Sequence, residues 1–537
     1  MAAASLTSSS FLQTQPLTNH RQNRQLFHFK NNGQISKITR NPLSLNSQAA
    51  SVSLLGFTRA AKLWNSRART SSCPKAAQEN IETKEEDVSD DLEENGSLGM
   101  VLLSSLVAIC GSFQFGICVG YSAPTQAAIM ESLNLTTAQY SMFGSILTIG
   151  AMLGAITSGP ITDYFGRKGA MRFSSIICIS GWLAVFFSKN YLWLDVGRFL
   201  TGFGIGVFSF VVPVFIAEIA PKNLRGRLTT LNQLMIVIGG SASFLIGSII
   251  SWRALALTAI SPCILLLAGL FFVPESPRWL MKVGQEKEFL ASLQKLRGKD
   301  ADVTREANEI QLNIETLGSE PETRFLDLFQ RQYIRFVFVG VALMVFQQFV
   351  GINGIQFYVS ETFVSAGLSS GTMGTIAYAL VQVPITIFGA LLLDKSGRKP
   401  LIMVSAAGTF LGSFLTGVSF FLKANSLLPG LVPIMAVSGV LIYIAGFSMG
   451  MGAVPWLIMS EIFPINIKGV AGSLVTLVNW VGAWLVSYTF NFLMGWSASG
   501  TFFLYSGFSL LSILFVAKFV PETKGKTLEE IQDYMTL

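Results

Sequence analysis

Twelve apolar runs, each close to 20 residues long, follow one another from Leu98 to the end of this 537-residue chain. A helix of about 20 residues crosses the roughly 30 Å hydrocarbon core of a bilayer, so runs of this length read as membrane spans. They lie near 98–120, 139–160, 169–188, 191–214, 228–250, 254–273, 333–356, 373–393, 401–422, 432–456, 470–493 and 500–519. Gly and Pro interrupt many of them, which membrane helices tolerate better than soluble ones. Only 13% of the residues are charged, against about 25% in a globular chain, so lipid rather than water is the main solvent. The expected fold is an all-α membrane protein with twelve transmembrane helices.

The longest polar gap, 278–332, separates six spans from six and carries helical patterning (QEKEFLASLQKL, REANEIQLNIETL). The expected organisation is a basic leader (1–78), an acidic spacer (79–97), a six-helix bundle (98–277), a cytosolic helical linker (278–332), a second six-helix bundle (333–520) and a tail (521–537). Cationic residues concentrate in alternate loops: Arg167 and Lys168; Lys222, Arg225 and Arg227; the linker; Lys395, Arg398 and Lys399; and Lys468. By the positive-inside rule these loops, the linker and both termini face the cytosol or its organellar equivalent.

The two halves repeat. GPITDYFGRK (159–168) matches LLLDKSGRKP (391–400), EIAPKNLRG (218–226) matches EIFPINIKG (461–469), and PESPRW (274–279) matches PETKGK (521–526). Three motifs recurring in order, after equivalent spans, describe a parallel repeat. Two similar bundles rocking about a central site is the architecture of an alternating-access transporter.

The net charge of +7 is uneven: residues 1–78 hold ten Lys/Arg and no Asp/Glu, which leaves 28 basic and 31 acidic residues in the rest. That balance speaks against nucleic acid as a partner. The acid-free, Ser- and Arg-rich leader has the composition of an organelle transit peptide, a plastid one by its Ser-rich start and length; an ordinary disordered cytosolic tail is the other reading. Both histidines, His20 and His28, fall in this leader, so the body has no His proton shuttle, Ser-His-Asp triad or His metal site. Cys73, Cys110, Cys118, Cys178 and Cys263 lack metal-ligand or paired spacing and read as small buried hydrophobes. No cofactor, metal or enzymatic chemistry is expected.

Charged residues recur at the inner ends of both bundles: Asp163, Arg167, Glu218 and Arg225 in the first, Asp394, Arg398, Glu461 and Lys468 in the second. Regularly placed carboxylates beside cations suit a latch that holds the inner side closed; plain snorkelling of Lys and Arg is the alternative. Arg198, seven residues into span four, costs about 2.5–3.5 kcal/mol on insertion scales, and its position suggests anchoring or pairing within the bundle. The glycines at 202, 204 and 206 permit close helix approach.

Uncharged polar side chains stand inside the spans at Gln233, Gln347, Gln348, Asn353, Gln382 and Asn479, with Trp456 and Trp480 beside them. Gln347, Gln348 and Asn353 cannot share one narrow helix face, so a ligand touching several needs a broad cavity or a helix break, and GING supplies two glycines there. Amides donate and accept, as hydroxyls do, and an indole suits the C–H face of a sugar ring. Interhelical amide bonding is the competing reading; the spread of the set over both halves favours a sugar or polyol site.

GPITDYFGRK, PESPRWL, QQFVGIN, DKSGRK, PWLIMSEIFP and PETKGK together resemble the sugar porter family of the major facilitator superfamily over nearly all of 98–533. GMGAVPWLIMSEIFP followed by GSLVTLVNWVGAWLVSYTFNFL is most similar to the plant early-responsive-to-dehydration-like branch of monosaccharide transporters. The resemblance implies the fold of that superfamily and a central hexose site lined by Gln233, Gln347, Gln348, Asn353, Trp456, Asn479 and Trp480. It also implies an outer gate that includes Tyr358, and an inner latch of Asp163, Arg167, Glu218, Arg225, Asp394, Arg398 and Glu461. A monosaccharide and the bilayer would be the partners, and the chain would work as a monomer.

Departures from the family pattern bear on substrate and coupling. Gln382 stands where glucose facilitators carry Asn, Ser448 where they carry Glu, Met451 and Ala453 replace prolines, and Lys468 replaces Arg. Cys118 occupies the place of the span-one Asp of proton-coupled relatives, which points to facilitated diffusion. Proton-coupled symport or export, and a transporter-like sugar sensor, stay open as alternatives. Asn134-Leu-Thr136 is a glycosylation sequon in the first outward loop, where a glycan would argue for the secretory route.

Overall fold

A computed structural model of the chain describes residues 98–221, 224–319, 325–464, 466–526 and 530–531. The expected leader and spacer, Lys222 and the last residues of the tail lie outside them. Among the described residues there are helices and no strand, as hydrocarbon requires of backbone that must satisfy its own polar groups. Among the described residues eleven helices are long and apolar enough to cross a membrane. One of them, Thr137–Phe186, has 50 residues and a non-helical Gly166 inside it, so it carries two spans and the count is twelve.

In order, span one is Gly99–Gly120, spans two and three share Thr137–Phe186, span four is Tyr191–Ile219, span five Arg225–Gly247 and span six Trp252–Gly269. Spans seven to twelve are Ile334–Ser365, Gly371–Leu393, Arg398–Ala424, Val432–Ile462, Lys468–Trp496 and Ala498–Phe519. Span one is followed by the helix Ser122–Leu133. The segment between the halves is helical, as its patterning indicates: Pro277–Lys282, Glu286–Arg297 and Thr304–Ser319, then a 3-10 turn at Phe325–Phe329. Leu280, Phe289, Leu293, Val303, Ala307 and Ile310 bury their apolar faces against one another there. Arg297 anchors this small cluster by donating to the Ile219 carbonyl at 3.0 Å and pairing with Glu306 at 2.6 Å.

The sequence repeat is a structural one. The loop between spans two and three turns at Gly166 (φ 76°) and its counterpart between spans eight and nine at Gly397 (φ 89°), both in the region that only glycine enters without strain. A Cβ at Gly166 would lie 2.7 Å from a Glu275 oxygen, and one at Gly397 2.8 Å from a Glu522 oxygen. Those carboxylates are the reason for the crowding. Glu275 accepts from the Lys168 N–H at 3.1 Å, and Glu522 accepts from the Arg398 and Lys399 N–H groups at 3.0 Å each. An anion at a helix N-terminus satisfies orphan donors and opposes the dipole, so the last residues of each half cap that half's third helix.

Burial raises the Glu275 carboxyl above its usual range, against the Ser276 and Lys168 N–H bonds. Glu522 is less buried; burial pushes it up but is outweighed by four backbone N–H donors, so it lies below the usual range.

Between spans two and four the backbones touch. A Cβ at Gly206 would land on the Ala151 carbonyl, and one at Gly154 on the Phe203 carbonyl. Small residues allow this approach, which in lipid replaces the hydrophobic drive that helices lack there. Gly202 and Gly206 therefore pack, as the sequence suggests, and Gly204 faces Cys178 of span three.

Two predictions follow from this packing. Gly206→Val forces spans two and four apart and lowers the thermal unfolding temperature of the purified protein by the equivalent of about 2 kcal/mol, whereas Gly507→Val, with nothing within 4 Å of its added Cβ, leaves it unchanged. Because the Glu522 carboxyl is depressed, its stabilisation is full above the unfolded-state value and disappears as pH falls through the folded one. Glu522→Gln thus lowers the unfolding temperature at pH 7, and the deficit narrows as the pH approaches about 4.

Candidate functional site

Span seven is interrupted in its middle. The helix Ile334–Phe349 ends at Val350, Gly351 takes φ 98°, and a new helix runs Ile352–Ser365. The first glycine of GING makes the break. Its released polar groups are paired: the Tyr443 hydroxyl of span ten donates to the Val350 carbonyl at 3.0 Å. The Tyr505 ring of span twelve fills the space where a Gly351 side chain would be.

The break turns Asn353 back on Gln348, to which it donates at 2.5 Å. Gln348 in turn donates to the Asn479 Oδ1 of span eleven at 2.6 Å. The three amides form one chain joining both parts of span seven to span eleven. Gln348 and Asn479 are buried and Asn353 half-buried. Among the described residues the Asn353 carbonyl oxygen and the Asn479 amino group make no hydrogen bond, so one acceptor and one donor stay unspent at its two ends.

Gln347 has a different task. Its amino group donates to the Met451 and Gly452 carbonyls at 2.7 and 3.0 Å. Those carbonyls sit where span ten loosens into a π-helical turn, Phe447–Met451. Gln347 thus holds the bend of span ten, and it is 3% exposed.

The other expected lining residues do not join this amide chain. Gln233 on span five is half-buried and makes no hydrogen bond among the described residues. Gln382 on span eight is buried with its carbonyl oxygen unpartnered. Trp480 packs on Phe115 of span one at 6.1 Å, and Trp456 is 39% exposed.

Tyr358 sits where the outer ends of the two halves meet. It is fully buried, stacked on Phe490 at 5.4 Å and edge-on to Tyr140 at 6.2 Å, with its hydroxyl unpartnered against Gly144. Nearby, Asn491 donates to the Ser141 hydroxyl at 2.9 Å, and the Phe244 and Tyr378 rings meet at 5.4 Å. Apart from the Tyr358–Phe490 stack, which lies within the second half, these contacts cross from one half to the other. The outer side is closed.

At the inner face the ion pairs lie within one half or between the first half and the linker. Arg167 grips Glu218 with two hydrogen bonds, 2.8 and 2.7 Å, and lies 3.5 Å from Asp163, which also pairs with Lys282 of the linker at 3.0 Å. Arg398 pairs with Glu461 at 3.0 Å, and Glu461 accepts the Thr523 hydroxyl at 2.5 Å. Both pairs tie the loop after the second helix of a half to the end of its fourth. Arg225 and Lys468 stand outside them: Arg225 keeps a buried, unpartnered Nε, and Lys468 donates to the Ser460 carbonyl. Sequence reasoning missed Thr523, Glu275 and Glu522 as parts of this inner framework; their place in the repeat was the available signal.

Arg198 is fully buried in span four. Its Nη2 donates to the Ser122 hydroxyl at 2.5 Å and its guanidinium lies over the Tyr121 and Phe143 rings, while Nε and Nη1 have no partner. No group of three or more candidate metal ligands occurs among the described residues.

The model of the sugar (and other) transporter family matches residues 77–534. Sugar transporter ERD6-like 16 of Arabidopsis thaliana is 69% identical over 447 residues, covering 83% of this chain and 93% of the relative. Sugar transporter ERD6-like 8 of the same plant is 59% identical, covering 83% and 96%. Among solved structures, the inward-open xylose transporter XylE of E. coli superposes with a TM-score of 0.69 at 28% identity, covering 81% of this chain and 99% of that one. The proton:xylose symporter XylE bound to 6-bromo-6-deoxy-D-glucose gives a TM-score of 0.65 at 28% identity, with the same coverage. With its twelve spans, its doubled inner motifs and its amide-bearing break in span seven, the chain belongs to the sugar porter family of the major facilitator superfamily, on the ERD6-like branch.

Proposed function

We propose that the chain carries a hexose of the glucose or fructose type across its membrane by facilitated diffusion, through a site centred on Gln348, Asn353 and Asn479. The amide chain joining the two parts of span seven to span eleven supports this reading. Its unspent donor and acceptor match a hydroxyl, which does both. Gln233 and Gln382 add further uncommitted amide atoms, and Trp456 and Trp480 supply flat apolar faces. Tyr358 serves as the outer gate. The inner gate comprises Asp163, Arg167, Glu218, Asp394, Arg398 and Glu461, with Arg225 and Lys468 beside them. The Arg167–Glu218 and Arg398–Glu461 pairs stiffen each half so that it moves as one body.

Span one supports diffusion without a coupled proton. It contains no carboxylate, Cys118 standing at the position in question, and among the described residues no carboxylate pairs with Arg198. Symport is the second reading, favoured by the likeness to the proton:xylose symporter XylE and by Asp195 of span four, whose Oδ1 is buried without a partner. For location, the acid-free leader supports the plastid envelope. Against it stands the Asn134 sequon, exposed at the outer end of Ser122–Leu133; a fluorescent fusion to residues 1–78 that fails to enter plastids, or an endoglycosidase-sensitive full chain, would overturn the plastid assignment.

Transport is tested with the full chain in proteoliposomes. Labelled glucose or fructose exchanges by counterflow, and an imposed pH gradient drives no accumulation; absence of counterflow for every monosaccharide contradicts the proposal, and gradient-driven accumulation selects symport. Gln348→Leu and Asn353→Ala each lower exchange at least about tenfold, a loss of one good hydrogen-bonding contact, with the protein still monodisperse. Gln347→Leu acts first on stability, because two span-ten carbonyls lose their donor at a cost of about 1–3 kcal/mol, and is read as a lower unfolding temperature.

A further inference from the structure

At the inner end of span six three cations converge, two from the start of span three and one from the linker. Arg172 of span three donates to the Leu270 carbonyl at 3.4 Å, Lys295 of the linker to the Phe272 carbonyl at 3.0 Å, and Lys168 to the Val273 carbonyl at 2.6 Å. Cations on the last carbonyls of a helix are favourable in themselves. The second half shows how much of this the helix end needs. There Lys399, the counterpart of Lys168, donates to the Ala517 carbonyl at 2.9 Å, and Met403 stands in the place of Arg172. Among the described residues no second lysine or arginine donates to this helix end as Lys295 does in the first half.

The three cations of the first half outnumber the carboxylate beside them, which acts electrostatically on Lys168. Glu275 is the carboxylate at hand, and its oxygens already accept the Lys168 and Ser276 N–H groups. Arg172 keeps a buried Nε with no partner, and each lysine uses one of three donors on its carbonyl. Beside the cations, Phe271 and Phe272 project outward, 76% and 68% exposed, and the Arg172 guanidinium lies over the Phe271 ring at 5.4 Å. Aromatic rings under a basic cluster, at the cytosolic end of a membrane helix, mark the level of the headgroups.

We propose that Lys168, Arg172 and Lys295, with Phe271 and Phe272 beneath them, form a binding site for the phosphate headgroup of an anionic phospholipid of the inner leaflet. The lipid phosphate takes the spare N–H donors, its acyl chains lie along the two phenylalanines, and the linker is thereby fastened to the membrane face of the first half. Sugar recognition plays no part in this site.

The test uses the full chain in vesicles of phosphatidylcholine containing a small fraction of photoactivatable phosphatidylglycerol or photoactivatable phosphatidylcholine, with crosslinks at residues 168–173 and 270–273 quantified by mass spectrometry. Phosphatidylglycerol labels these segments about fivefold more than phosphatidylcholine, in keeping with the attraction of each basic residue for an anionic surface. Lys295→Gln, on the exposed linker, halves that preference or more without disturbing the spans. Arg172→Gln does the same, and its unfolding temperature checks that it folds. Equal labelling by the two lipids, or an unchanged preference in both variants, overturns the proposal. Inorganic phosphate should not compete; if millimolar phosphate removes the preference, the site binds a free anion and the lipid assignment fails.

Discussion

A polar atom inside hydrocarbon must find a partner within the protein, and the interior of this chain is organised by that requirement. Where span seven breaks at Gly351, a tyrosine hydroxyl from span ten takes the freed carbonyl. Where span ten loosens at Phe447–Met451, the amino group of Gln347 takes two carbonyls. Each break is thus held by a side chain from the other helix, so the two irregular segments are rigid with respect to one another. Irregular backbone at membrane depth is tolerated only where protein or a water-filled cavity satisfies it, and such breaks mark the sites of transporters.

The inner framework follows the same economy twice. In each half a glycine turn follows the second helix, a carboxylate from the end of the sixth caps the third, and an arginine in the turn grips a glutamate at the end of the fourth. Two long-range contacts and a glycine turn convert six helices into a unit that can rock as one. With the outer ends joined through Tyr358 and the inner pairs lying within one half or between the first half and the linker, the structure presents the outer-closed arrangement that alternating access requires. Arg198 lies just below that closed end, its charge facing aromatic rings rather than a carboxylate, an observation on which the proposal of facilitated diffusion rests.

Much of this was legible in the chain itself, because spans are set by length and apolarity, and a repeat declares itself by order. Gly202 and Gly206 read as packing for reasons that are local. The amides were harder. Gln347 and Gln348 are adjacent, yet neighbours on a helix point about 100° apart, and which one meets span ten and which span eleven depends on the rotation of the helix. The site of the break could be narrowed to two glycines but not chosen between them, since Gly351 is selected by the Tyr505 ring from a distant span. Glu218 and Arg225 share a motif but not a contact, because the chain turns at Ala220 and Pro221 between them; the partner of Glu218 is Arg167, 51 residues away.

Where the sugar rests decides whether the amide chain is a binding site. A structure of the full chain determined with glucose or fructose bound measures this directly. The sugar is expected between span seven and span eleven, with hydroxyls on the Asn353 carbonyl oxygen and the Asn479 amino group and a ring face toward Trp456 or Trp480. A sugar bound elsewhere, with Asn353, Gln348 and Asn479 bonded only to one another, would show that these amides hold helices together and that the site lies in another part of the molecule.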